Sequence, residues 1–98
     1  MRIKDREYIK VRKAIRKEKD EKYGYWFCDK CEINETYHCS MHHIVYRSEK
    51  PKHEHLHNER NLIDLCMRCH NYFHEKKDRR NYLIEERNLT ELFGNEIL

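Results

Sequence analysis

Glycine and proline are nearly absent, at 2 Gly and 1 Pro in 98 residues. That scarcity excludes a collagen-like chain and a flexible linker. No apolar run approaches the roughly 20 residues of a membrane-spanning helix, which excludes an integral helical membrane protein. The opening segment, MRIKDREYIKVRKAIRKEKD, lacks the apolar stretch of a secretory signal. A cytoplasmic location is therefore expected. Hydrophobic residues are scarce too: they make up 38% of the chain, while charged residues make up 40%. A single domain this short and polar cannot bury a large core, so it needs a staple, either a disulfide set or a metal.

Cysteine and histidine are abundant instead, with 5 Cys and 8 His. An odd cysteine count, no signal segment and CxxC spacing favour metal thiolates over disulfides. Cys28-x-x-Cys31 and Cys66-x-x-Cys69 have the spacing of four-thiolate zinc sites. Two intervening residues let one tight turn present both sulfurs to one ion, and two such turns complete a tetrahedron. Clamping the two turns together would supply folding energy that the thin core lacks. Four thiolates also close the coordination sphere, so this zinc is expected to be structural. Cys39 is left over and reads as a small buried hydrophobe.

Charge is unevenly spread. The net charge is +3, but residues 1–22 hold ten Lys/Arg against five Asp/Glu. This segment has no Gly or Pro, and Tyr8, Val11 and Ile15 follow helical spacing with Ile9 adjoining, so a basic helix over 1–24 ending at Gly24 is expected. The aromatic cluster Tyr25, Trp26 and Phe27 is expected to be core around the zinc. Residues 37–46 and 61–65 read as strands, and 47–60 as a charged loop. A basic helix is expected from about Cys69, with Lys76–Arg80 interrupting its apolar stripe so that it could be two helices. Thr90 is expected to cap a last turn ending at Gly94. The whole is an α+β chain of one domain, with a 26–77 core and a helical extension over 78–98.

Between and after the cysteine pairs lies a histidine set. His42 and His43 adjoin on an expected strand and so point to opposite faces. One can bind a metal while the other stays free to take a proton near neutral pH. His70 and His74 are four apart on an expected helix, so they share a face and can bind one metal together. His53, His55 and His57 alternate through Lys-His-Glu-His-Leu-His and read as a solvated loop more readily than as a second metal patch.

The order His42-His43-Ile44, then Asn61-Leu62, then Cys66-x-x-Cys69-His70-x-x-x-His74 resembles the HNH nuclease family, in its cysteine-containing branch, over residues 26–77. The resemblance implies a zinc-stapled ββα-metal fold, a two-stranded hairpin and a helix gripping one divalent ion. It also implies a metal-dependent endonuclease acting on DNA and leaving 5′-phosphate and 3′-hydroxyl ends. Carried over residue by residue, it makes His43 the general base and His42 the metal ligand just before it. Asn61 becomes the middle Asn that steadies the loop or the base, His70 the last signature His, and His74 the second helix ligand. A three-histidine site favours a borderline transition ion over Mg²⁺, so Mg²⁺, Mn²⁺, Ni²⁺ and Zn²⁺ all stand as candidates for the activating metal.

A nuclease core gives the basic residues a partner. Arg12, Lys13 and Arg16 of the first helix, with Arg47, Lys76, Arg79 and Arg80, are expected to contact DNA phosphates and position the duplex without reading it. The compact size resembles HNH proteins of phages and bacteria. A bacterial cell or phage-infected host is the expected setting, alone, as a homodimer, or within a larger nuclease or packaging complex. The competing expectation is a non-catalytic zinc-knuckle module that binds nucleic acid, or an accessory subunit. Such a module would need the cysteines and the basic helix but not His42, His43 and Asn61.

Overall fold

The computed structural model describes residues 3–31 and 39–97. Helix α1 spans Ile3–Tyr23, an uninterrupted run of good helix formers. It stops where Gly24 takes φ +85° and donates its N–H to the Asp20 carbonyl at 2.8 Å. A Cβ at Gly24 would meet nothing, so the left-handed backbone and not crowding calls for glycine there. The expected stripe of Tyr8, Ile9, Val11 and Ile15 is half-buried, and Arg12, Arg16 and Lys19 share that burial.

Past the first cysteine turn, β1 (Cys39–His43) pairs antiparallel with β2 (Leu62–Cys66). The register sets Cys39 against Cys66, Met41 against Asp64 and His43 against Leu62. Every residue of β2 is buried. The expected strand over 37–46 is therefore shorter in its described part, since the chain leaves the ladder after His43. Residues 37 and 38 lie outside the described residues. The Ile44 N–H still reaches the Asn61 carbonyl at 2.9 Å, but Asn61 belongs to a 3₁₀ turn, Glu59–Asn61, and not to a strand.

Helix α2 (Met67–Glu75) begins two residues before the expected Cys69, because Cys66 itself is its N-cap and its sulfur accepts from the Cys69 N–H at 3.5 Å. The break in the apolar stripe does mark two helices. Lys76 is extended, at φ −133° and ψ 139°, and α3 follows as Lys77–Glu86. A short α4 (Thr90–Phe93) and a 3₁₀ turn (Asn95–Ile97) complete the described chain. Thr90 is the first residue of α4 and not its cap. Leu89, fully buried in the core, holds the N-cap position with no side-chain cap bond. Gly94 ends α4 at φ +91°, as its position suggests.

The core gathers around β2. Ile63 and Leu65 share one buried cluster with Ile44, Val45 and Phe73 and, from the C-terminal part of the chain, with Leu83, Ile84, Leu89, Phe93 and Ile97. Burying apolar surface yields about 25 cal/mol per Å², and a chain this polar draws on residues 83–97 for much of it. Trp26 is partly buried against this cluster, as expected. Tyr25 is 40% exposed, so the aromatic cluster is only partly core. No helix among the described residues is long and apolar enough to cross a membrane.

Candidate functional site

The two cysteine turns converge. The sulfurs of Cys28, Cys31, Cys66 and Cys69 all lie within 4.8 Å of one another, and those of Cys31 and Cys66 are 3.6 Å apart. A tetrahedron with metal–sulfur bonds of about 2.3 Å has sulfur–sulfur edges of about 3.8 Å, so the four thiols suit a single ion. Burial alone would push the Cys28 thiol up. Backbone N–H groups of Cys31, Cys66 and Lys30 and the neighbouring Cys31 side chain instead hold it down to about 7. Cys69 is pushed up by burial and then by hydrogen bonding with the other three sulfurs. Thiolates are the form that binds a metal, so taking up one cation here would release thiol protons. Cys39 stands apart from the group, buried and with its thiol raised to about 11 by desolvation and the nearby sulfurs and Asp64. It is the inert buried thiol that its leftover status suggests.

The histidines form a second feature. His42 and His43 leave β1 on opposite faces. The His42 ring stacks on His70 with centroids 4.0 Å apart, and His70 lies 4.3 Å from His74 one turn further along α2. Tyr46 stacks on His74 at 5.3 Å, and its hydroxyl lies 3.1 Å from His74 Nδ1. Burial and then the neighbouring rings lower His42 to about 4, and His74 is lowered by burial, His70 and Arg80. Neutral imidazoles of this kind are the form that binds metals. Among the described residues, however, the cysteines are the one group of three or more ligating side chains whose ligand atoms lie within 4.8 Å. His42 and His70 meet face to face while His74 is tilted 54° to His70, and in this arrangement the three imidazoles do not gather their ligand atoms within that distance. His42, Tyr46, Phe73 and His74 line a cleft of about 20 Å³. That volume holds a water. His74, at the edge of this cleft, is exposed.

His43 faces the other way. Its Nε2 lies 2.9 Å from Nδ1 of His57, and the Tyr8 ring of α1 stacks on it at 5.3 Å. Burial, then His57, Arg47 and His42, lower His43 to about 4, so it is neutral near pH 7. His57 is 4% exposed, which corrects the expectation of a solvated loop at that position. The apolar Leu56 beside it, 1% exposed, is the sequence signal that the run turns inward. Asn61 is fully buried and touches no open surface. Its Oδ1 accepts from the Val45 N–H at 2.7 Å, and its Nδ2 donates to the carbonyls of Val45 at 3.1 Å and Leu56 at 2.9 Å. It ties together the two ends of the connection between β1 and β2.

Two of the expected phosphate contacts are committed to the fold. Arg16 donates to Asp64 at 2.9 Å and lies 4.0 Å over the Trp26 ring. Lys19 reaches the same carboxylate at 3.3 Å and Asp29 at 2.6 Å. Arg80 is 7% exposed, paired with Glu49 and with the Ile44 and Ile97 carbonyls at 3.5 and 3.4 Å. An unpaired buried carboxylate or an open C-terminal carbonyl is costly, and these cations satisfy both. Lys13, Arg47 and Lys76 are exposed. Arg12 is half-buried with its guanidinium 5.4 Å over Tyr8, and Arg79 bonds Glu75 and the Tyr72 carbonyl.

Compared with known proteins, the chain finds no counterpart: no protein-family description, curated protein or solved structure matches it.

Proposed function

We propose that this chain is a small metal-dependent endonuclease of the HNH type that hydrolyses DNA phosphodiester bonds, stapled by a four-cysteine zinc. The observation that carries the reading is the division of labour between two adjacent residues of β1. His42 joins His70 and His74 on the α2 face, while His43 stands on the opposite face with Nδ1 making no hydrogen bond among the described residues. The hairpin-then-helix order around them, β1, β2 and α2, supports it.

In this reading His42, His70 and His74 hold the divalent ion. When bound, the ion offsets charge that builds on the phosphate and on the departing 3′ oxygen. His43, neutral at pH 7, removes a proton from the attacking water. Asn61 keeps the β1 exit and the 56–57 segment in register, so it positions the site without touching substrate. Exposed Lys13 and Lys76 lie available to the polyanion.

A binding module without chemistry is the competing reading. It is favoured by one fact: the cysteine group, unlike the imidazoles, is already gathered for a metal. Nicking of supercoiled plasmid in Mg²⁺, Mn²⁺, Ni²⁺ or Zn²⁺ decides between them. Metal-dependent nicking that His43→Ala abolishes, with zinc content and DNA binding intact, is the expected result. DNA binding with no cleavage in any metal would leave the binding module.

A further inference from the structure

We infer that His57 is a positioning residue for His43: it holds the proton of the His43 ring on Nε2 and so leaves Nδ1 as the basic atom. The inference rests on the nuclease reading given above and names which ring atom does its work.

Three observations meet at this contact. First, His43 Nε2 and His57 Nδ1 are 2.9 Å apart, an ordinary hydrogen-bond distance. In a neutral pair one nitrogen must donate and the other accept. With Nε2–H donating, the His43 lone pair is on Nδ1. With the reverse tautomer, the lone pair of His43 is spent on His57 and no basic nitrogen is left for water. Second, the contact is enclosed. His57 is 4% exposed, and Tyr8 covers both rings, with centroids 5.3 Å from His43 and 5.8 Å from His57. Tyr8 is itself tied down by donating its hydroxyl to the Met41 carbonyl at 3.2 Å. Third, the backbone carrying His57 is anchored. Asn61 Nδ2 binds the Leu56 carbonyl at 2.9 Å, and the Asn58 N–H bonds the His55 carbonyl at 3.0 Å. Asn61 thus reaches the base through Leu56 and His57.

The proton accounting closes. The water O–H breaks and its proton bonds His43 Nδ1; the water oxygen bonds phosphorus as the P–O3′ bond breaks, and the departing 3′ oxygen takes a proton from solvent. The imidazolium then keeps its Nε2–H on His57 Nδ1. A partner on the far nitrogen of a working histidine fixes the tautomer and the ring's orientation.

The test has two arms. Histidine ¹⁵N–¹H long-range spectra of the wild-type zinc-loaded chain should show His43 protonated at Nε2. Protonation at Nδ1 would overturn the inference whatever the activity. In the nicking assay, His57→Leu should lower kcat by about tenfold or more with KM for DNA unchanged. His57→Asn, whose Oδ1 can take the place of Nδ1 as acceptor, should recover most of that loss. An inactive His43→Ala beside a fully active His57→Leu would sink this inference and spare the nuclease reading. An active His43→Ala would sink both.

Discussion

The fully buried carboxylate of Asp64 accepts a hydrogen bond from the Arg16 guanidinium at 2.9 Å, joining the first helix to the central strand across about half of the sequence. Lys19 lies against the other carboxylate oxygen at 3.3 Å, and the Asp64 N–H donates to Asp29 at 2.8 Å. Both cations are themselves mostly covered, with 23% and 12% of their side chains exposed. Removing the carboxylate therefore strips the mostly covered Arg16 guanidinium of its ion pair and leaves Lys19 to Asp29 alone. Asp64→Ala should cost about 3 kcal/mol, toward the lower end for breaking a buried pair. Arg16→Met should cost less, because Lys19 still faces Asp64. Urea unfolding of the two variants checks the order. Equal losses would show that Lys19 does not share the carboxylate.

Removal of the metal should be more drastic. Structural zinc contributes roughly 10 kcal/mol or more to small thiolate domains, which is comparable to the whole stability of a typical domain this size. Cys66→Ser removes a ligand sulfur, while its hydroxyl can still accept at the N-cap of α2. It should abolish both the bound metal and the cooperative thermal transition, and chelation of the wild type should do the same. Cys39→Ala, which leaves the four converging sulfurs untouched, should keep one metal per chain. Metal analysis beside near-ultraviolet circular dichroism separates these outcomes.

The cysteine group was legible in the sequence because two CxxC turns carry their own geometry, whatever the rest of the chain does. The opposite facing of His42 and His43, and the shared face of His70 and His74, were equally legible, since strand and helix periods fix them. What spacing could not show was the destination of long basic side chains. Arg16 and Arg80 look like their exposed neighbours in the sequence, and only the fold reveals a buried Asp64 and the Ile97 carbonyl as their partners. His57 escaped for the related reason that burial of a loop depends on distant residues, here Tyr8 and Asn61. The core contribution of residues 83–97 was hidden because α3 carries so many charges that its apolar positions form no clear stripe.

The Arg80–Glu49 pair gives the protein an acid-sensitive joint. Burial raises the Glu49 carboxyl, but hydrogen bonds from Arg80 and the Tyr46 N–H outweigh it, and the net shift is downward. A carboxyl held below its unfolded value stabilises the fold above that unfolded value. The contribution fades as pH falls through the lower, folded one. Stability should therefore drop on acidification from about pH 5 downward. Glu49→Gln should lower stability at neutral pH and flatten this acid limb. Unfolding midpoints measured across the acid range test it, and an unchanged limb in the variant would assign the drop to other carboxylates.

DNA affinity should separate the exposed cations from the committed ones. Each phosphate contact neutralised by a lysine or arginine releases condensed counterions, so its loss reduces the slope of log affinity against log salt by about 1. Lys13→Ala and Lys76→Ala remove exposed charges and should each reduce that slope while leaving the unfolding midpoint within about 0.5 kcal/mol of wild type. Arg80→Ala should do the reverse. Its guanidinium is buried against Glu49 and the Ile44 and Ile97 carbonyls, so its loss strips partners from the interior and removes no surface charge. The expected signature is a lowered unfolding midpoint with the salt slope of the folded fraction unchanged. A reduced slope for Arg80→Ala, measured by fluorescence anisotropy on duplex DNA, would instead place its charge at the nucleic-acid surface.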